Sequence, residues 1–401
     1  MHADGVAGVS GAGQGVTDRR PAQINQEVTV NTDAMPVIDM DSHVEEPKEA
    51  WEHLDSKYAD RKPFPVVAKD LPVLGGINAF WYIDGTVYPK PVGRGNLVYG
   101  TPIEMRFATQ KEFTIGSQTM TDIPARLKDM DAVGIDVQVV FSTVFLQPVT
   151  DDLLFEAALM RSYNTWMASA CAEAPDRMKW GAILPMRDPR LALDELEHSL
   201  KLGASVAGIY GTVGETMLHD RYYDDFFAEV ERLGVPLAIH AGWSHPGITR
   251  SMDDVSGSRA IGFTLPVMMG FYSFLGGGIL ERHPRLRVAF MEIGVQWVPY
   301  LVQRIDHYHH ADGALGLPLP VKQPVSETLK QSDVYFTPEA DEIYLPQAAE
   351  YVGEDRLLFE GDMPHAEARE GAKQEILERD DLSEELKWKI LSVNGKRFLN
   401  L

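Results

Sequence analysis

The chain has 401 residues, 44% hydrophobic, 24% charged and 9% aromatic, which excludes disorder as its main state and leaves mass for one large core or two modest ones. With 37 Lys and Arg against 59 Asp and Glu the net charge is −22, so a polyanion is repelled over most of the surface and nucleic acid is not an expected partner. The single cysteine, Cys171, makes neither an internal disulfide nor a cysteine cluster, so any metal must be held by His, Asp and Glu.

Residues 1–34 are rich in Gly, Ala, Asn and Asp without a hydrophobic period, and read as a flexible leader or an oligomerisation arm. The opening MHADGVAGVSGAGQG lacks the apolar run of a signal peptide, and no stretch approaches the roughly 18–20 consecutive apolar residues of a membrane-spanning helix. A cytoplasmic protein with no membrane partner is therefore expected. From residue 35 onward short apolar runs recur at 36–40, 136–143, 179–186, 204–211, 235–242, 286–294, 333–340 and 356–362. Most are continuous rather than alternating, as in strands buried on both faces of a parallel sheet. Between them lie stretches of helical period at 123–134, 153–174, 191–204, 222–234 and 297–310. This rhythm predicts an α/β fold, a (β/α)₈ TIM barrel over 35–401, with a doubly wound open sheet as the competing arrangement. Two insertions interrupt it: 44–120 after strand one, expected as a lid, and a helical one at 243–282 between strands five and six.

Catalytic side chains of such a barrel project from the C-terminal ends of its strands. Strand one ends in Asp39-Met40-Asp41-Ser42-His43 with Glu45 and Glu46 following; the period of two puts Asp41 and His43 on one face. Strand five ends in His240, strand six in Glu292, and strand eight in Asp362 with His365 three residues on. Taken singly, His240 reads equally as a bonded core histidine, Glu292 as an ion-pair partner and Glu45 as a helix cap. Four strands each ending in a potential ligand are another matter, because buried carboxylates cost several kcal/mol each unless a cation neutralises them. A metal site is expected. His307, His309 and His310 read as a solvated helix end, and His283 as a turn residue.

The segments VIDMDSHVEEP, LAIHAG, LGGGILERHPRLRVAFMEIGVQWVPYLVQRIDH, LLFEGDMPHAE and ILSVNGKRFLNL together resemble the amidohydrolase-related superfamily, the relatives of aminocarboxymuconate-semialdehyde decarboxylase and of metal-dependent hydroxybenzoate decarboxylases. The resemblance covers about 36–401 and implies a barrel with a divalent metal at its C-terminal mouth. The family's His-x-His pair falls on Asp41 and His43, its strand-five metal histidine on His240 and its strand-eight aspartate on Asp362. The histidine that many decarboxylating relatives carry after strand six falls on Glu292, a departure that puts ring protonation in doubt. The carboxylate-rich set D-x-H-x-x-E, His, Glu, D-x-x-H looks like a dinuclear iron or iron/manganese oxygenase branch of the superfamily. That resemblance implies Asp41, His43, Glu46, His240, Glu292, Asp362 and His365 as ligands, two ions (Fe/Fe or Fe/Mn), and hydroxylation of a small organic substrate, the reading narrowly preferred on carboxylate count.

The alternative is a metal-activated-water hydrolase or a non-oxidative decarboxylase of a small, carboxylated, aromatic substrate, with zinc or manganese and with Glu292, Asp362 and His240 as the catalytic groups. A catalytically idle subunit is a third reading, against which the intact ligand set argues. Trp243, His245 and Tyr272 are the expected substrate contacts, Phe80, Trp81 and Tyr82 candidate pocket lining, and Arg106 or Arg250 candidate partners for a substrate carboxylate. Association into a homo- or hetero-oligomer is expected from the leader and the family.

Overall fold

Continuous apolar runs become strands buried along their whole length. β1 (Ile38–Val44) and β2 (Val137–Ser142) are buried at every residue, which an alternating, half-solvated strand would not allow. They are followed by β3 (Met178–Ile183), β4 (Val206–Tyr210), β5 (Leu237–His240), β6 (Arg287–Phe290) and β7 (Asp333–Phe336), each parallel to and paired with the next. The computed structural model describes residues 35–68, 78–105, 113–365 and 371–401, so the expected leader at 1–34 and Arg106 lie outside the described residues.

The eighth run forms no regular strand but fills the gap between β7 and β1. Leu358 N donates to the Phe336 carbonyl, Met40 N to that of Phe359, and Asp362 N to that of Asp41, each at 2.8 Å, and His43 N donates to the Met363 carbonyl at 2.6 Å. These bonds close the ring, and the fold is a (β/α)₈ barrel.

The crossover helices carry their own start and stop signals. Asp122, Asp152 and Asp188 accept from backbone N–H groups at the starts of helices Ile123–Val133, Leu153–Cys171 and Pro189–Lys201. Gly134 and Gly234, at φ 75° and 68°, end the helices before β2 and β5. Ile38, Met40, Val139, Phe141, Ala238 and Ala289 form a compact cluster under the mouth, and Phe141 meets the rings of His43 and His240 from below at 6.5 and 5.3 Å.

The first insertion builds a three-stranded antiparallel sheet from Phe64–Val67, Ala79–Ile83 and Thr86–Tyr88. Trp81 is buried and meets Trp51 edge-on at 5.8 Å, and Trp51 meets Phe145 beyond β2 at 6.1 Å. Trp81, a candidate pocket residue by sequence, is thus committed to fastening the insertion to the barrel.

The second insertion is helical, as expected. Its run Val255–Arg282 has a mean hydropathy of 1.5 over an 18-residue window and is, by length and composition, apolar enough to cross a bilayer, which corrects the expectation of no such stretch. That window is 72% buried within the protein, and the count of consecutive apolar residues missed it because Gly, Ser and Thr interrupt the run. Phe271 and Phe274 pack edge-on against Phe290 of β6 at 5.3 and 6.0 Å. The helix Leu265–Leu275 reaches the end of β4 where Gly211 faces Gly270; a Cβ on Gly211 would overlap the Pro266 carbonyl. Gly211→Ala is therefore expected to destabilise the barrel by about 1–3 kcal/mol, the range for overpacking a tight core, as measured by urea denaturation.

Candidate metal centre

The mouth collects side chains from both sides of the closing seam. Asp41 and His43 leave β1 fully buried, and Asp41 Oδ1 lies 3.4 Å from His43 Nε2 and 3.1 Å from His240 Nε2. His240 Nδ1 is 2.8 Å from the Ala241 carbonyl and 3.5 Å from Glu292 Oε2. Across the seam His43 Nε2 is 3.6 Å from Asp362 Oδ1, which is 2.8 Å from His365 Nδ1. The rings of His43 and His365 stack at 4.1 Å.

Two sets of ligand atoms result, each gathered within 4.8 Å: Asp41, His43, His240 and Glu292, and His43, Glu292, Asp362 and His365. Second contacts orient the imidazoles. With Nδ1–H of His240 donating to the Ala241 carbonyl and Nε2–H of His365 donating to Thr143 Oγ1 at 2.9 Å, His240 Nε2 and His365 Nδ1 keep lone pairs for a cation.

Asp41 Oδ2, His43 Nδ1 and Glu292 Oε2 are buried without a hydrogen-bond partner, and His43 Nε2, Asp362 Oδ1 and His365 Nδ1 are buried facing one another and Asp41. Each such orphan costs about 1–3 kcal/mol, and one convergent group of donor atoms resolves them together if a divalent cation sits among them. The residues fit a metal. Glu292 and Asp362 also occupy the left-handed backbone region, at φ 63° and 50°, a strain of order 1–3 kcal/mol each that clusters at functional sites. Glu292 N is held by Thr337 Oγ1 at 2.9 Å and Glu360 Oε2 at 3.2 Å.

Burial, reinforced by Asp362, Asp41, Glu360 and Glu339, pushes the Glu292 carboxyl well above the usual range, and burial with Glu339 and Asp41 does the same to Glu360. Burial and the neighbouring His365 push His43 down to about 4 despite Asp41. Burial opposes charge on Asp41, His240 and His365 as well, but there the pairing wins: the imidazoles of His240 and His43 hold Asp41 low, while Asp41 raises His240 and Asp362 raises His365. A cation must therefore displace protons from His240 and His365. Divalent-metal affinity is expected to rise with pH across neutrality, with at least about one proton released per ion. Calorimetric titration with Mn²⁺ in buffers of different ionisation enthalpy reads this directly, and a heat independent of buffer contradicts it.

Of the expected ligands, Asp41, His43, His240, Glu292, Asp362 and His365 are brought together. Glu46 is not, which corrects its assignment: Oε1 accepts from Ser142 Oγ at 2.5 Å and Thr143 N at 2.9 Å, and Oε2 accepts from Val144 N at 3.0 Å. It shapes the loop whose Thr143 orients His365.

The expected substrate contacts divide. Trp243 stands near the centre, its indole N–H donating to Ser258 and its ring 5.7 Å from Tyr99, which stacks on His365 at 5.2 Å. His245 instead caps the short helix Pro246–Thr249, with Nδ1 accepting from Ile248 N. Tyr272 lines a separate cavity with Arg304 and Tyr308, and Arg250 is exposed beside Glu215 at 4.0 Å. The cavity that opens on Glu292 and Asp362 measures about 690 Å³ and is walled by Arg259, Phe263, Glu339, Glu342, Ile343 and Glu360 among others. Sequence reasoning did not single out Glu360 and Glu339, although both stand at strand ends, in FEGD and TPEAD.

Residues 106–401 match the amidohydrolase family. Gamma-resorcylate decarboxylase of Rhizobium sp. is 28% identical over 256 residues, which cover 60% of this chain and 76% of that one. A solved amidohydrolase of Mycobacterium avium subsp. paratuberculosis has a TM-score of 0.72 at 21% identity, covering 91% of this chain and 99% of that one, a likeness of fold. A solved 2,6-dihydroxybenzoate decarboxylase from Rhizobium has a TM-score of 0.59 at 26% identity, covering 69% and 87%.

Proposed function

This chain belongs to the amidohydrolase family, and on that premise we propose that it is a metal-dependent carboxy-lyase that releases CO₂ from a small aromatic acid without an external oxidant. The observation that carries the reading is Glu292. Its side chain, 10% exposed at the floor of the cavity, is held well above the usual carboxylate range by burial and by its acidic neighbours, which favours the protonated form. A carboxyl group of that kind can act as an acid where an ordinary carboxylate cannot, which answers the doubt raised by the missing histidine. A cation nearby lowers it again, which helps the group give up the proton it holds.

Asp41, His43, His240, Asp362 and His365 would hold the metal, which supplies positive charge against the anionic oxygens of the substrate. Phe263 and Ile293 offer apolar wall for a ring. Glu292 then delivers its proton to the ring carbon that bears the carboxylate. The bond from that carbon to the carboxylate breaks, its electron pair returns to the ring, CO₂ leaves, and Glu292 recovers a proton from water.

The hydroxylase reading rested on the number of carboxylates, and that number overstates the anionic charge. Glu46 is bound to its own loop, and burial among acidic neighbours pushes Glu292 toward its uncharged form. The relatives named above as enzymes of known reaction are decarboxylases. Protein loaded with Mn²⁺, and separately with Fe²⁺ and Zn²⁺, is incubated with 2,6-dihydroxybenzoate and related hydroxybenzoates with and without oxygen. One CO₂ released per acid consumed under anaerobic conditions is the expected result. Turnover that requires oxygen, or that occurs only with esters or lactones, overturns the proposal.

A further inference from the structure

The barrel closes between β1 and the segment 357–363, and the proposed metal ligands stand on both sides of that seam: Asp41 and His43 on one, Asp362 and His365 on the other. One buried cation spans it. Arg126, on helix Ile123–Val133 and fully buried, donates from Nη2 to the carbonyls of His43 and Met363 at 3.2 and 3.3 Å, and from Nη1 to that of Ser117 at 3.4 Å. Its Nε donates to Gln138 Oε1 at 2.9 Å, and Gln138 Nε2 donates to Asp39 Oδ2 at 3.2 Å. Asp39 in turn accepts from Asp41 N at 3.1 Å, from Gly361 N at 2.8 Å and from Ser42 Oγ at 2.5 Å. Apart from Ser117 and Gln138, each of these partners is a ligand residue, its chain neighbour or a side chain that bonds to one, and Gln138 links Arg126 to Asp39.

We propose that Arg126, acting through Gln138 and Asp39, is a positioning residue that sets the spacing of the two halves of the metal centre. The guanidinium is suited to this because its planar fork holds two carbonyls at fixed separation, whereas an ammonium is a point donor on a flexible stem. A cation held by His43 and Asp362, which stand 3.6 Å apart, would tie the same seam from above. Gly361 belongs to the same design: a Cβ there would press to 2.8 Å from the Asp39 carboxylate. The proposal rests on the metal-centre reading above.

The test compares Mn²⁺ binding by the wild-type protein, Arg126→Lys and Gln138→Leu, with Arg177→Lys as a control. Arg177 also grips carbonyls, those of Ile135 and Asp136, but at the start of β2 away from the centre. Affinity and the electron paramagnetic spectrum of bound Mn²⁺ are recorded at a temperature where circular dichroism shows each variant folded. Arg126→Lys and Gln138→Leu are expected to bind about 10–100-fold more weakly, with an altered spectrum, as when other outer partners of a metal site are removed. Arg177→Lys is expected to match the wild type. A purely structural role would lower the melting temperature and leave affinity and spectrum of the folded protein unchanged, and that result overturns the proposal. If Arg126→Lys does not fold, Gln138→Leu decides by the same readings. Wild-type protein that binds no Mn²⁺ overturns the metal-centre reading itself, and this proposal with it.

Discussion

His43→Ala is expected to empty the centre. The imidazole belongs to both sets of ligand atoms, lies on the seam between Asp41 and Asp362, and stays neutral down to about pH 4, so it offers a lone pair across the whole working range. Its Nδ1 is buried without a hydrogen-bond partner and its Nε2 faces Asp41 and Asp362, so the metal would lose a ligand from the middle of the centre. Saturating metal at about 100 times its Kd stabilises a folded protein by about 2.7 kcal/mol. The wild type should show that gain as a rise in melting temperature on adding Mn²⁺, and His43→Ala should show almost none. Metal content by elemental analysis should fall to under about a tenth of an ion per chain, with decarboxylation lost alongside. His307→Ala, on the exposed face of helix Val298–Ala314, should keep wild-type metal content and thermal response. A His43→Ala protein that retains stoichiometric metal would refute the arrangement proposed for the centre.

Glu292→Gln has the second largest expected effect, and it separates the proton from the shape. Glutamine preserves length and hydrogen bonding but carries no acidic proton. A lost general acid lowers kcat by about 10²–10⁴-fold, with KM far less affected. In the wild type the rate should fall as pH rises through the elevated pKa of Glu292, because the acid form disappears, and the variant should lack that alkaline limb. The substitution should change the stability of the metal-free protein in the direction opposite to its effect on the rate. A carboxyl group whose folded pKa lies above its unfolded value contributes fully below the unfolded pKa and loses that contribution as pH rises toward the folded one. Metal-free Glu292→Gln is therefore expected to resist urea better than the wild type at neutral and mildly alkaline pH, while being far slower. A variant that is both less stable there and fully active would show that Glu292 neither suffers from its neighbours nor supplies the proton.

The amino-acid order alone determined the strands and most of the residues gathered at the mouth. A barrel strand buried on both faces has no place for a polar side chain until it leaves the sheet, so His240, Glu292 and Asp362 stood out as the first polar groups after apolar runs, and a period of two joined Asp41 to His43. What Glu46, His245 and Tyr272 do was decided by tertiary structure. The Ser142–Val144 donors capture the first, a short helix uses the second as its cap, and the third faces another cavity. Arg126 looked like any helical arginine until folding set it under the seam, and Glu292, singled out by its place, was pushed toward the protonated form only when it was buried and crowded by Asp362, Asp41, Glu360 and Glu339. The physical reason is one of range. Burial along a strand follows from adjacent residues, whereas the charge state and partners of a side chain depend on groups brought near it from hundreds of residues away.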